Sequence, residues 1–142
     1  MLPDICRLKA SRFPVTLTEF INPLAERLAA DLKRWLVEPA VPPELADGMR
    51  YCLDGGKRLR PSLVYLSARA VGGDDGDELV RRAAVSVELV HAYSLVHDDL
   101  PAMDNDDTRR GKASAHVKYS PAMAILIGDA LLTRAMGLLA EY

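Results

Sequence analysis

Residues 77–99 contain neither glycine nor proline, and nothing else in the chain constrains its architecture as strongly. Read as a helix, these roughly 23 residues make a rod about 34 Å long at 1.5 Å per residue, against about five or six residues for an average strand. This is the longest element. Punctuation elsewhere cuts the chain into further helical lengths. Thr16 and Glu19 form a capping-box pair, with Asn22-Pro23 as a second possible start. Leu24, Leu28, Leu32 and Trp35 then share one face of a first helix that ends before Pro39. Pro42-Pro43 opens a second helix, which runs through Leu53 to a stop at Gly55-Gly56. A third covers about residues 58–71, with Pro61 in its first turn and Gly72-Gly73 beyond its end. Pro101 bends or ends the long helix, residues 104–119 are polar and charged, and Ser120-Pro121 reads as an N-cap followed by proline at the first helical position.

The expected fold class is therefore all-α. The chain is 49% hydrophobic but only 6% aromatic, a balance that favours helices rich in Ala and Leu over strands built on Val, Ile, Thr and aromatics. Its length suits one domain, able to bury roughly 65–70% of the unfolded surface. Residues 1–15 carry no sustained period and are expected to form a loosely held arm, leaving 16–142 as the helical domain. In the last helix Ile125, Leu126, Leu131, Leu132, Leu138 and Leu139 continue almost to Tyr142 with no closing cap, so the chain is expected to stop within the fold.

A net charge of −2 and a pI near 5.9 argue against a nucleic-acid partner, which would require a basic face. Cys6 and Cys52 lack the spacing of a zinc cage or a disulfide framework, which fits a reducing cytoplasm. With Asp4, Arg7, Lys9 and Arg12 so early, a secretory signal is not expected, and the longest apolar run, residues 122–127, falls far short of the ~20 needed to span a membrane. A soluble cytoplasmic protein is expected.

The chemistry concentrates where the long helix ends. Asp98, Asp99, Asp104, Asp106 and Asp107 crowd carboxylates that repel one another unless cations sit among them. Mg²⁺ suits hard oxygen ligands and completes its shell with water and phosphate oxygens, so the cluster implies a phosphate ligand too. A solvated acidic loop is the plain alternative. Against it, the run leaves an apolar helix and is followed at once by Arg109, Arg110 and Lys112. An EF-hand loop is excluded: counted from Asp104, the glycine position holds Arg109 and the closing glutamate position holds Ala115.

His91 lies two helical turns before Asp98, about 10 Å away on the same face, so one helix could span two phosphate groups. His91, His97 and His116 also admit a purely structural reading. The segment Gly55-Gly56-Lys57-Arg58-Leu59-Arg60-Pro61 lacks the spacing of a Walker loop. It still suits an anion: glycine allows close backbone approach, a helix start offers N–H groups, and Lys57 and Arg60 lie on one side.

Taken together, GGKRLRP at 55–61 and HAYSLVHDDLPAMDNDDTRRGK at 91–112 resemble the trans-isoprenyl diphosphate synthases, especially the bacterial farnesyl diphosphate synthases. The resemblance continues through SAHVKY at 114–119 and AMAILIGDALL at 122–132. It implies an all-α fold, the N-terminal half of an isoprenoid-synthase helical bundle, usually homodimeric, that condenses isopentenyl diphosphate with an allylic diphosphate such as dimethylallyl or geranyl diphosphate. It also implies roles. Asp98 and Asp104 would hold Mg²⁺ on the allylic diphosphate, Asp99 would support them, and Arg109 would contact that diphosphate. Gly56, Lys57, Arg60, His91 and Arg110 would hold isopentenyl diphosphate on the opposite wall. As diphosphate leaves C1 of the allylic substrate, the carbocation would be attacked by the neighbouring double bond, and proton loss would complete the product. Thr108, Ala113 and Ser120-Pro121 depart from the family's usual Leu, Pro and Gly-Glu. The family's second aspartate-rich motif normally lies beyond residue 142, so the chain alone is expected to be inactive.

Tyr93 and Ser94 sit one turn or more before Asp98, where a growing prenyl chain would point, and by the same resemblance a bulky Tyr93 would act as a floor that favours farnesyl over geranylgeranyl diphosphate. Two other readings compete: a non-catalytic partner of a full synthase, and a diphosphate-binding module related to terpene cyclases. Ligands kept at every matched position count against the first, and the set Lys57, Arg60 and His91 counts against the second.

Overall fold

The computed structural model describes residues 17–36 and 40–141. The arm expected at 1–15, the Thr16 cap, Cys6 and Pro39 lie outside the described residues. Six helices follow in order: α1 Leu17–Trp35, α2 Pro43–Leu53, α3 Leu59–Ala70, α4 Glu78–Asp98, α5 Ala115–Lys118 and α6 Pro121–Ala140. A minimal hairpin, β1 Thr108–Arg109 and β2 Lys112–Ala113, stands between α4 and α5. Among the described residues these are the only strands, and the fold is all-α.

α4 is the expected rod. Asp77 caps its start, Oδ1 accepting from the Leu79 N–H at 2.8 Å, and Asp99 caps its end with an N–H bond to the Leu95 carbonyl at 3.1 Å. Its buried residues, Ala84, Val85, Ser86, Glu88, Leu89, Ala92 and Val96, cover more than one stripe because α4 is packed on several sides, by α6, α3, α1 and α2. Ser86 crosses to α6, its Oγ donating to the Ala135 carbonyl at 3.0 Å. Burying each leucine of this interior contributes about 1.5–3 kcal/mol.

The stripe Leu24, Leu28, Leu32 and Trp35 is buried as expected. α1 nevertheless runs straight through Pro23, so the second possible start at Asn22-Pro23 is not used. One backbone hydrogen bond is lost there, and the packed stripe on either side outweighs it. α1 is tied to α4 by Asp31, 1% exposed, which accepts from Arg81 Nε at 3.1 Å; Arg81 also lies over the Trp35 ring at 5.3 Å.

Two elements were not legible beforehand. The hairpin turns on Arg110 and Gly111, with φ of 54° and 75°, the pair of positive angles that a type I′ turn requires. Strands of two residues have no alternation to read. α5 is a single turn and likewise too short for a period. Ser120 does cap α6, accepting from the Met123 N–H at 3.1 Å, with Pro121 in the first helical position.

α6 buries Ala124, Ile127, Leu131, Ala135 and Leu138 but leaves Ile125, Leu126, Met136 and Leu139 about half exposed. Among the described residues it is the one helix long and apolar enough to cross a membrane, with mean hydropathy 1.6. The reading from unbroken apolar runs missed this because Gly128, Asp129 and Arg134 interrupt the run. One face of it packs against α4.

Candidate functional site

The acidic residues separate by environment. Asp98, the last residue of α4, and Asp104 are exposed, whereas Asp99 is 3% exposed. The turn at 99–104 folds back so that the Asp104 N–H bonds the Asp98 carbonyl at 2.8 Å, which brings the two exposed residues together. Neither carboxylate forms a hydrogen bond or ion pair among the described residues. Asp99 instead takes the Arg109 guanidinium, Nε lying 3.1 Å from each carboxylate oxygen and Nη2 closing the pair. That carboxylate holds Arg109 still more firmly protonated. Crowding among the aspartates is thus relieved at one buried position by an internal cation and left open at two exposed ones.

A second region forms around α3 and α4. Gly56, Lys57, Arg58, Leu59, Arg60, Glu88, His91 and Arg110 line a cavity of about 390 Å³. Arg60 donates from Nη1 to His91 Nε2 at 3.2 Å, so the imidazole is neutral with its proton on Nδ1. Burial, and then the charge of Arg60, hold the His91 pKa below its ordinary value. The carbonyl of His91 accepts from Ser94 Oγ at 2.9 Å.

The hairpin joins the two regions. On β1, Arg109 turns to Asp99; at the turn, Arg110 reaches back to the Gly55 carbonyl, with Nη1 at 3.2 Å. Gly56 lies beneath it in a backbone conformation that disfavours a side chain. Its φ is 91°, and a Cβ there would lie 2.6 Å from Arg110 Nη1. Lys112 holds the hairpin to the end of α2 through Asp54, depressing the Asp54 pKa. Ser114 fastens its other side, its N–H bonding the Asp107 carbonyl at 2.9 Å. These supports were absent from the sequence reading; a basic pair followed by glycine at a type I′ turn position, Arg109-Arg110-Gly111, was the signal available.

The polyprenyl synthetase model matches residues 42–142, which takes in every side chain just described. The chain belongs to the polyprenyl synthetase family. It is 43% identical to the farnesyl diphosphate synthase of Geobacillus stearothermophilus over 128 residues, 89% of this chain and 42% of that one. It is 48% identical to the geranylgeranyl diphosphate synthase of Rhodobacter capsulatus over 101 residues, 70% of this chain and 35% of that one. The crystal structure of a geranyltransferase from Legionella pneumophila superposes with a TM-score of 0.80 at 42% identity, over 86% of this chain and 43% of the other. The chain therefore spans less than half the length of these relatives.

For a polyprenyl synthetase chain the donor set is informative. Among the described residues no group of three or more His, Cys, Asp or Glu side chains could cage a metal ion. Two exposed, unpaired carboxylates fit Mg²⁺, which takes few protein ligands and fills its shell with water and phosphate oxygens. Tyr93 is half-buried on α4, its ring edge-on to His97 at 4.8 Å. His97 donates to the Ile125 carbonyl at 3.2 Å, and Gly128 on α6 leaves room for its ring. His116 is buried with Nε2 3.6 Å from Asp107. Both histidines have structural surroundings. Cys52 is free, with burial pushing its thiol up to about 11.

Proposed function

We propose that these residues belong to a prenyltransferase that condenses isopentenyl diphosphate with dimethylallyl or geranyl diphosphate to give farnesyl diphosphate. The observation that carries this reading is the hairpin: neighbouring arginines point to separate regions, one beside the exposed carboxylates and one over the basic cavity. In this assignment Asp98 and Asp104 hold Mg²⁺ on the allylic diphosphate, with Asp99 setting Arg109 beside them. Gly56, Lys57, Arg60, His91 and Arg110 hold isopentenyl diphosphate. When bound, Mg²⁺ neutralises the charge that develops on the leaving diphosphate. The chain's own residues bind and orient the two substrates, so that the double bond of one faces C1 of the other. Tyr93 and Ser94 lie deeper on α4, at the depth where the lengthening chain would be stopped.

Likeness to a geranylgeranyl diphosphate synthase supports a second product reading, in which the chain grows one unit further. The bulk of Tyr93 favours the shorter product. A homodimer in the cytoplasm is the expected setting, and the chain of 142 residues alone is expected to lack prenyl transfer.

Calorimetric titration of the 142-residue chain tests the two-subsite assignment. Geranyl diphosphate should require Mg²⁺ for binding and lose that requirement's benefit in Asp98→Asn, while isopentenyl diphosphate should bind without Mg²⁺ and weaken in Lys57→Ala. If both variants weaken both ligands equally, the division into two subsites is wrong. In an active enzyme, Asp98→Asn should also lower turnover by ~10²–10³, the usual cost of removing one electrostatic stabiliser.

A further inference from the structure

The basic cavity contains a charge that an anion site should avoid. Glu88 lines it, on α4 and one helical turn before His91, with its side chain only 4% exposed. Its partner is Arg58, also in the wall, which the subsite assignment above leaves without a role.

Arg58 is unusual in its backbone as well as its pairing. It is the N-cap of α3 and adopts φ 53°, ψ 29°, the left-handed region that a non-glycine residue enters only when its surroundings hold it there. Gly55 and Gly56, shortly before it, have φ of 79° and 91°, so three residues of the α2–α3 connection adopt angles that β-branched or bulky residues resist. Four bonds hold Arg58 in place. Its guanidinium donates to the carbonyl of Leu53, the last residue of α2, and to Glu88 Oε1 on α4. Its own carbonyl accepts from Ser62 in the first turn of α3, from Oγ at 2.8 Å and from the N–H at 3.2 Å. One residue thus ties the end of α2, the start of α3 and the middle of α4.

We propose that the buried Arg58–Glu88 pair is the positioning element of the basic cavity, holding the loop of Gly56 and Lys57 and the first turn of α3 in register with α4 so that Lys57, Arg60 and His91 face one diphosphate. The proposal rests on the assignment of that cavity to a diphosphate. Arg58 is a positioning residue and not a ligand, because its charge is committed to Glu88. The two cancel, and the attraction for an anion comes from Lys57, Arg60 and Arg110. Without the tie, the long Lys57 and Arg60 side chains would be gathered by the ligand at the moment of binding, at an entropic cost that the folded loop otherwise meets in advance.

Replacing both members by apolar residues separates positioning from charge and from stability. Arg58→Met with Glu88→Leu leaves the net charge of the cavity unchanged, and exchanging a buried ion pair for apolar side chains of similar volume is commonly neutral for stability. Titration calorimetry of the 142-residue chain with isopentenyl diphosphate should show about tenfold weaker binding in this double variant, the order expected when two long side chains are ordered on binding. Its melting temperature should stay within a few degrees of the wild type, since beyond the exchanged ion pair only the Leu53 carbonyl loses its partner. The ¹⁵N resonance of His91 Nε2, which reports the hydrogen bond from Arg60, should move toward that of a solvated imidazole.

Glu88→Asp provides an arm that does not depend on the double variant folding. It keeps every charge and shortens the reach by one methylene, and should weaken binding by about threefold with the same salt dependence. Wild-type affinity in either folded variant overturns the proposal. Lys57→Ala, measured alongside, tells that failure from failure of the site itself: if Lys57→Ala also binds normally, the cavity is not a diphosphate subsite, and the pair has nothing to position.

Discussion

Replacing Arg109 by methionine would leave the Asp99 carboxylate buried and without its cation. The structure sets the size of the effect. The Asp99 side chain is 4% exposed and that of Arg109 is 36% exposed. Breaking a fully buried pair from one side costs about 3–5 kcal/mol. Because water reaches the arginine end of this one, the orphaned carboxylate regains part of its hydration, and the expected loss is about 2–3 kcal/mol. For a domain of this size that lowers the melting temperature by about 6–12 °C. Asp99→Asn keeps an oxygen acceptor for Arg109 and should cost only about 1 kcal/mol. The double variant Arg109→Met with Asp99→Leu should recover most of the loss, since neither charge remains to be solvated. Urea unfolding of these proteins and of Asp99→Leu alone, followed by circular dichroism at 222 nm, closes the cycle. Should Arg109→Met lie within about 0.5 kcal/mol of the wild type, the carboxylate is not held by this pair, and the account of how the end of α4 tolerates its aspartates fails.

Three further outcomes follow from the site. Because His91 is held below its ordinary pKa of 6.5 by burial and then by Arg60, its contribution to stability is complete above pH 6.5 and is lost as pH falls through the lowered folded value. Melting curves from about pH 5 to 8 should therefore show a steeper acid decline in the wild type than in His91→Gln, and parallel declines would refute it. Gly56→Ala places a methyl group against Arg110 at a φ of 91°, so it should destabilise by about 1 kcal/mol or more and weaken isopentenyl diphosphate binding; normal binding would count against Arg110 as a ligand. In an active enzyme, Tyr93→Ala should lengthen the products resolved by chromatography, and an unaltered distribution would leave Tyr93 as a core residue.

The helices and their ends were legible in the sequence because they depend on local chemistry. Asp77 and Ser120 cap helices through their own side chains, and Gly55 and Gly56 end α2 by adopting angles that other residues avoid. Such bonds reach only a few residues along the chain. The clustered aspartates and the glycine-lysine-arginine run were legible for the same reason, as unusual composition over a short span. Pro23 marks the limit of this reading: the local rule allowed a helix start there, and packing of Leu24 and Leu28 carried the helix through it. Tertiary structure alone decided which acidic residue would be buried, since Asp98 and Asp99 are chemically identical neighbours and only the approach of Arg109 from the hairpin separates them. It also decided the pairing of Arg58 with Glu88, which lie 30 positions apart. No periodicity encodes such a contact. It exists because α3 and α4 are packed together, and packing is a property of the whole core rather than of any segment within it.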